Sequence, residues 1–231
     1  MAGVVVVFAK APLPGAVKTR MTPPLTPVEA ARLYACMLDD VLEHTARLAR
    51  AFDLAPVVAV HPPGRVAEVA ARAPRWFRAV PQRGRDLGAR MEAAARQAAA
   101  EAASPIVLRG SDSPALDVED LEGALAALRG GADLALCPDL DGGYNLVAMR
   151  RAVPGLFAHP MSTRTVLEDT LERGRAAGLR TAVLRPGFDL DTAADLGVLA
   201  RARRERERLP CPRTLAYLDA EDLWRHLVPR V

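Results

Sequence analysis

Short apolar runs alternate with longer amphipathic segments along most of this chain. Residues 4–8 form an unbroken apolar run, which is typical of a strand covered on both faces. Similar patterns predict further strands at residues 56–60, 76–80, 106–108, 133–137, 144–149 and 181–184. The segments between them predict helices at residues 27–50, 65–72, 87–103, 118–129, 163–177 and 192–207. This alternation predicts an α/β sheet with helices on both faces.

Capping residues mark the starts of two of these helices. Thr26 followed by Pro27 predicts an N-cap and a first helical residue for the first long helix. Thr192 or Asp191 would cap the last long helix, with Asp195 in its first turn, where the helix dipole favours an acidic side chain.

The C-terminal residues form a short segment of their own. Two prolines within residues 209–212 predict a boundary between a domain of residues 1–209 and a tail of residues 210–231. The tail carries the apolar residues Leu215, Tyr217, Leu218, Leu223, Trp224 and Leu227. A solvated free tail would not need so many apolar groups, so we expect it to pack on the domain or on the second subunit of a homodimer.

The composition excludes several classes of protein. Half of the 231 residues are apolar and the net charge is only +3, six arginines being concentrated in residues 201–213. The rest of the chain is therefore almost neutral, unlike a nucleic-acid-binding domain with its basic stripe. The three cysteines form neither a disulfide framework nor a zinc motif, and no apolar stretch reaches the roughly 18 residues of a membrane helix. We expect a cytoplasmic protein that does not span a membrane.

The loop after the first strand holds both lysines of the chain. Lys10 and Lys18 lie in it together with Gly15 and Arg20. Ligands of open α/β sheets bind beyond the carboxyl ends of strands, and lysine is a compact charge suited to phosphate oxygens. The loop therefore predicts a phosphate-binding cradle, although it matches neither the Walker A nor the Gly-x-Gly-x-x-Gly pattern. A solvated basic loop would have the same composition.

Acidic residues follow two other strands. Asp112 lies in a tight loop after the strand at residues 106–108, and Asp189 and Asp191 precede the last long helix. Carboxylates at these positions predict a site for Mg²⁺ or Mn²⁺ that also contacts diphosphate oxygens. An Asx turn at Asp112 and helix capping by Asp191 are the alternatives, and they leave Asp189 unexplained.

The segment Asp141-Gly142-Gly143-Tyr144-Asn145 is a candidate substrate loop. It contains the only asparagine of the chain, and the two glycines allow a close backbone approach or a positive φ. Asp141 would contact a substrate or act as a general base. An ordinary Asp-Gly hairpin turn is the alternative, and one loop can serve both purposes.

A second candidate loop spans residues 82–88 and leads into a helix. Free backbone N–H groups at a helix N-terminus can meet an anion. Asp86 and Arg90 are therefore candidates for nucleotide contacts, with a plain capped loop as the alternative.

Five motifs in a fixed order resemble a known family. They lie at residues 8–20, 86–91, 110–116, 141–144 and 189–192. The chain resembles bacterial glycosyltransferase-like proteins described as arsenosugar-biosynthesis or radical-SAM/selenodomain-associated transferases, and the resemblance covers roughly residues 3–200. More distantly it is similar to 2-phospho-L-lactate and molybdenum-cofactor guanylyltransferases, whose strand-end aspartate matches Asp112. Met161 departs from the family, which often has Trp there.

The resemblance implies a Rossmann-like glycosyltransferase-A fold, with a mixed, mostly parallel sheet, of the nucleotide-diphospho-sugar transferase superfamily. It implies a metal-dependent transferase that uses a nucleotide sugar as donor and an unknown small molecule as acceptor. Asp112 would act in catalysis and hold the metal, and the loop cations would stabilise the leaving diphosphate. A nucleotidylyltransferase is the alternative, in which a phosphorylated acceptor attacks the α-phosphate and pyrophosphate leaves. A non-catalytic nucleotide-binding protein is the second alternative.

Overall fold

The computed structural model describes residues 3–206 and 208–226. These residues form the strands β1 (Gly3–Lys10), β2 (Leu54–His61), β3 (Arg78–Pro81), β4 (Ile106–Gly110), β5 (Leu134–Pro138), β6 (Tyr144–Met149) and β7 (Thr181–Val183). They also form the helices α1 (Pro27–Ala51), α2 (Val66–Ala70), α3 (Leu87–Ala100), α4 (Val118–Arg129), α5 (Val166–Ala176), α6 (Asp195–Glu205) and α7 (Pro212–Ala220). Short 3₁₀ turns lie at Thr19–Met21, Pro63–Arg65 and Leu223–His226.

All seven strands belong to one sheet, in the order β3-β2-β1-β4-β6-β5-β7. β6 runs antiparallel to β4 and β5, and the other neighbouring strands are parallel. The carboxyl ends of β1, β2, β4 and β5 therefore lie along one edge, where Lys10 pairs in register with His61 and Phe8 with Gly110. The predicted α/β fold with a mixed, mostly parallel sheet is confirmed.

Alternate side chains of β1 belong to two different cores. Val4 and Val6 pack on the face covered by α3 and α5. Val5 and Val7 pack on the opposite face, which α1, α2 and α4 cover. Because both faces are buried, the strand shows a continuous apolar run instead of an apolar-polar alternation.

The start of α1 is the predicted one, and the start of α6 is not. Thr26 accepts from the backbone N–H of Glu29 at 3.2 Å, and Glu29 accepts from the N–H of Thr26 at 2.7 Å, which is a complete capping box. In α6, by contrast, the carboxylate of Asp195 accepts from the N–H groups of Asp191 and Thr192. Those two residues form a turn ahead of the helix, so the prediction that either caps a helix from residue 192 is wrong. The predicted end at residue 207 lies outside the described residues.

Three other helices are shorter than predicted, and one of them is α2, which spans Val66–Ala70 instead of residues 65–72. α5 begins at Val166, because the backbone of Arg164 just before it packs on Gly142 in the β5–β6 turn. In the first turn of α5, the N–H of Leu167 donates to the carbonyl of Gly142 at 3.0 Å. α3 ends at Ala100, since Ala102 has a left-handed φ of 55° and the chain turns back there.

The described part of the tail packs on the domain. Asp40 of α1 is buried and accepts from the N–H of Arg213 at 3.1 Å and from the N–H of Thr214 at 2.7 Å, at the start of α7. Leu218 and Leu223 are fully buried against α1 and α6. Leu227 lies outside the described residues, and the homodimer stays a prediction.

The structure bears on two sequence predictions, one about membrane helices and one about the cysteines. Across residues 3–206 and 208–226, each helix is either too short or too polar to cross a lipid bilayer. The three cysteines are all free thiols, and Cys137 and Cys211 are buried.

Candidate functional site

A cavity of about 900 Å³ opens at the carboxyl edge of the sheet. The predicted site residues that line it are Lys10, Lys18, Arg20, Arg90, Asp112, Asp141, Gly143, Tyr144, Asn145, Asp189 and Asp191. Gly15, Asp86 and Gly142 lie outside this lining. The fold thus brings residues from the first loop to the start of α6 around one space.

Lys18 lies at the centre of a charge cluster in this cavity. Its Nζ donates to Asp112 and, at 2.9 Å, to Asp191, and its side chain is only 3% exposed. Burial by itself would lower the pKa of Lys18, but the two carboxylates outweigh burial and hold the pKa above its ordinary value. Lys18 is therefore charged and neutralises the strand-end acids.

Asp191 connects the first loop to the turn before α6. It accepts from Arg20 as well as from Lys18, and Asp195 fixes its backbone. Burial raises the pKa of Asp191, but the charges of Lys18 and Arg20 reverse this and leave the pKa below its usual range. The carboxylate is ionised at neutral pH.

Asp189 is the most enclosed acid of the cluster. Ser113 donates its hydroxyl hydrogen to this carboxylate. Burial and the neighbouring charge of Asp112 raise the pKa of Asp189 to about 7. Burial is the larger of these two causes, and the charge of Asp191 acts in the same direction as that of Asp112.

Two buried side chains behind this cluster were missed by the sequence analysis. Arg109, the fourth residue of β4, donates to the carbonyl oxygen of Ser113 at 3.1 Å. The hydroxyl of Tyr34 accepts from the N–H of Lys10 at 2.9 Å and lies 2.8 Å from the hydroxyl of Ser111. Both residues hold the ends of β1 and β4 in place. A charged residue inside an otherwise apolar strand could have pointed to Arg109, but nothing in the sequence marks Tyr34.

The loop of residues 82–88 contributes differently from the prediction. Gln82, also missed, is buried, and its Nε2 donates to the carbonyls of Ala9 at 3.1 Å and Ala59 at 2.9 Å. This fixes the amide where it lines the cavity. Asp86 accepts from the N–H of Ala89 at 2.8 Å and is the N-cap of α3, so it has the role that the alternative of a capped loop gives it.

The β5–β6 turn forms another part of the cavity wall. Asp139 accepts from the N–H groups of Asp141 at 2.7 Å and Gly143 at 2.9 Å, so a residue just before the predicted loop organises the turn. Gly142 has a φ of 88° and packs tightly on the carbonyl of Arg164. Asn145 is 2% exposed, and in the described ranges neither atom of its amide group has a hydrogen-bond partner.

The acidic residues suit a hard divalent cation that also takes phosphate oxygens. Within residues 3–206 and 208–226, no three His, Cys, Asp or Glu side chains form a ready-made metal cage. Asp112 and Asp191 nevertheless converge on one atom, Nζ of Lys18. Mg²⁺ commonly takes one or two carboxylates together with substrate phosphates, so these residues fit Mg²⁺ or Mn²⁺ bound with a nucleotide. The metal itself stays a prediction.

Comparison with known proteins gives a family and a curated relative. The model of a family described as "Uncharacterized protein conserved in bacteria (DUF2064)" matches residues 44–163. The chain is 31% identical over 214 residues to a 3-phospho-D-glycerate guanylyltransferase of Phenylobacterium zucineum (strain HLK1). That alignment covers 90% of this chain and 93% of the relative.

Solved structures show the same architecture. A candidate nucleotide-diphospho-sugar transferase from Desulfovibrio desulfuricans G20 is 30% identical, has a TM-score of 0.85, and matches over 99% of this chain and 100% of its own. A cytidylyltransferase from Leptospira borgpetersenii serovar Hardjo-bovis is 14% identical with a TM-score of 0.58, over 97% of this chain and 94% of its own, and is alike in fold alone. The predicted enzyme class, a transferase, is confirmed.

Proposed function

The chain belongs to the bacterial family DUF2064, and from that premise we propose that it is a metal-dependent nucleotidylyltransferase. The expected nucleotide-sugar donor is less well supported than the nucleotidyl alternative, because the curated relative is named a guanylyltransferase. The observation that carries the proposal is the contact of Lys18 with Asp112 and Asp191 at the carboxyl edge of the sheet. Phosphate-binding loops and metal-binding acids meet at this edge in open α/β folds.

The proposed roles follow from how each group is placed. Lys10 and the largely exposed Arg20 would neutralise the triphosphate, while Lys18 keeps Asp112 and Asp191 together. Asp112 and Asp191 would hold the metal. A bound divalent cation supplies charge stabilisation at the α-phosphate and at the leaving pyrophosphate.

The proposed reaction transfers a nucleotidyl group to a phosphorylated acceptor. An oxygen of the acceptor phosphate attacks the α-phosphorus, and a new P–O bond forms. The bond from the α-phosphorus to the bridging oxygen breaks, and pyrophosphate leaves with that electron pair. Because the attacking phosphate is already ionised, no general base is required, and Asp141 serves as an acceptor contact.

The first substrates to test are GTP and 3-phospho-D-glycerate, which the relative's name suggests. The purified chain is incubated with Mg²⁺, each of the four nucleoside triphosphates and the acceptor, and pyrophosphate is measured with and without acceptor. We expect acceptor-dependent release of pyrophosphate that a chelator abolishes and added Mg²⁺ or Mn²⁺ restores.

Glycosyl transfer is the rival, favoured by the description of the structural relative from Desulfovibrio desulfuricans. Its products differ, because a nucleotide-sugar donor releases a nucleoside diphosphate and no pyrophosphate. Nucleoside diphosphate from GDP- or UDP-sugars would therefore overturn the proposal. Tight nucleotide binding without turnover of any donor would instead favour the non-catalytic binding protein.

A further inference from the structure

Six cationic side chains line the cavity, and they fall into two groups. Four of them already contact carboxylates or backbone carbonyls: Lys18, Arg20, Arg90 and Arg109. In the part of the chain that the structure describes, the side chains of Lys10 and Arg164 make neither kind of contact. These two cations are therefore free to meet an anionic ligand.

The order of the strands separates these two cations. Lys10 ends β1, while Arg164 packs against the β5–β6 turn. β4, which leads into the loop with Asp112, lies between β1 and β6 in the sheet. One free cation thus lies on each side of the proposed reaction centre, and the two would serve different anionic groups.

The backbone at Arg164 is held by the turn that it faces. A Cβ on Gly142 would overlap the carbonyl oxygen of Arg164, so the two backbones are in close contact. The N–H of Leu167 donates to the carbonyl of Gly142 at 3.0 Å, just beyond Arg164. The hydroxyls of Thr163 and Thr165 lie 3.0 Å apart and brace the same segment. Arg164 is consequently anchored at its backbone, while its solvent-exposed guanidinium has no partner among the residues that the structure describes.

Asn145 provides a second, independent indication of a ligand on this side. Its amide is buried and lines the cavity, and neither its Nδ2 nor its Oδ1 has a partner within the described residues. Buried polar groups in folded proteins almost always have a hydrogen-bond partner. A ligand with hydroxyl and anionic groups on this wall would supply that partner.

We infer that Arg164 is a specificity-determining residue of the acceptor subsite, where its guanidinium binds the carboxylate of the proposed acceptor. The inference rests on the proposed function, because the acceptor phosphate must lie beside Asp112 to attack the α-phosphorus. The opposite end of a small acceptor then reaches towards Arg164. A guanidinium matches a carboxylate through two parallel N–H···O bonds, which a lysine cannot reproduce.

The test uses two acceptors that differ only at that end. Glycerol 3-phosphate has a CH₂OH group where 3-phospho-D-glycerate has its carboxylate. Binding of both is measured by calorimetry to the full chain with Mg²⁺ and a non-hydrolysable GTP analogue. We expect the wild type to bind 3-phospho-D-glycerate about 10–100-fold more tightly, as for a charge-assisted hydrogen-bonded pair.

Three variants test the assignment to Arg164. Arg164→Met should abolish the preference between the two acceptors and leave the affinity for the GTP analogue unchanged. Arg164→Lys should recover only part of the preference. The matched control is Arg175→Met on α5, an exposed arginine outside the cavity lining, which should behave as the wild type.

The acceptor subsite and nucleotidyl transfer can be ruled out separately. Equal binding of the two acceptors by the wild type, or a preference that survives in Arg164→Met, overturns the subsite even if pyrophosphate is released. A preference that depends on Arg164 without any pyrophosphate release supports the subsite and overturns nucleotidyl transfer.

Discussion

The two walls of the cavity satisfy their polar groups in different ways. The carboxylate wall consists of Lys18, Arg20, Asp112, Asp189 and Asp191, and each of these side chains contacts an opposite charge or a hydroxyl of the protein itself. The hairpin wall consists of residues 139–145 and Arg164. Among the described residues, neither amide atom of the buried Asn145 on that wall has a hydrogen-bond partner, and the solvent-exposed side chain of Arg164 contacts no carboxylate.

This difference indicates a division of labour between catalysis and recognition. A wall that pairs its own charges is fixed before substrate arrives, which is what electrostatic stabilisation of a transition state requires. On the hairpin wall, the buried amide of Asn145 lacks a partner, and a complementary ligand that supplied one would stabilise it. Substitutions on the carboxylate wall should therefore lower turnover, and those on the hairpin wall should change the choice of acceptor.

The largest effect is expected for Asp112→Asn on the carboxylate wall. Losing this charge should lower the rate of pyrophosphate release about 10²–10³-fold, as for other preorganised electrostatic groups. The melting temperature should change little, because Lys18 keeps its 2.9 Å contact with Asp191 and the Asp112 side chain is partly exposed. Pyrophosphate assays and thermal melts of the same preparation measure both quantities.

Glu122→Gln is the matched control for that change. Glu122 is an exposed acid on α4, outside the cavity lining, so the substitution removes the same charge without touching the site. Turnover by Asp112→Asn equal to that of this control would mean that the carboxylate wall is only structural.

The carboxylate wall was largely predictable from the sequence, because strand ends in a parallel sheet converge. An apolar run followed by Lys10 and Lys18, and a second run followed by Asp112, are visible without a structure. The direct contact between Lys18 and Asp112 could not be predicted, because it depends on β1 and β4 being neighbours in the sheet. Asp195 illustrates another limit, because a first-turn acid and an acid that caps the preceding turn look the same in sequence.

The hairpin wall was only half predictable. The Asp-Gly-Gly turn and the lone Asn145 stand out by their composition. Arg164 does not, because it is one of many arginines and reaches the turn only through the packing of the segment before α5. Gln82 could not be predicted for a similar reason. Its amide donates to carbonyls of β1 and β2 from a position just after β3, so the contact exists only when all three strands are in place.

Within the hairpin wall, the close contact between Gly142 and the carbonyl of Arg164 is tested by Gly142→Ala. Gly142 and Gly155 both have positive φ values, 88° and 76°, at which a Cβ typically costs about 1–2 kcal/mol. At Gly142 the Cβ would also overlap the carbonyl of Arg164, which adds about 1–3 kcal/mol of overpacking. At Gly155 the Cβ meets no atom within 4 Å.

Urea denaturation should therefore show a larger loss of unfolding free energy for Gly142→Ala than for Gly155→Ala. Gly142→Ala should also weaken acceptor binding, because Arg164 has to shift, while nucleotide binding stays the same. Equal losses of stability in the two variants would show that the turn can move away from Arg164 without penalty.

Asp40→Ala tests the alternative that any loss of stability disturbs both walls. Asp40 lies outside the cavity and receives two N–H groups from the start of α7, so its removal should lower the free energy of unfolding by about 1–2 kcal/mol. The Michaelis constants for nucleotide and acceptor should not change. Glu43→Ala, on the same helix, removes only a surface ion pair and should cost under about 1 kcal/mol. Altered Michaelis constants in Asp40→Ala would mean that the packing of α7 on α1 affects the two walls of the cavity.

The smallest effect is expected from His44, which lies behind the carboxylate wall. Burial, followed by the charges of Arg109 and Arg47, lowers the pKa of His44 to about 4, with Asp120 opposing them. An unfolded histidine has a pKa of about 6.5, so between these values the unfolded chain binds a proton that the folded chain does not. This group therefore makes the free energy of unfolding fall as the pH falls through that window.

His44→Leu removes that titration, so its stability should decline less steeply than that of the wild type between about pH 6.5 and 4. Melting temperatures of both proteins across this range give the comparison. Turnover at pH 7 should be equal in the two proteins, because His44 is neutral there and does not line the cavity. Parallel stability curves would show that neither burial nor the neighbouring arginines lower the pKa of His44 in the folded chain. A loss of turnover at pH 7 would instead show that a substitution at His44 alters the carboxylate wall through Arg109. The packing behind the site and the site itself would then not be independent.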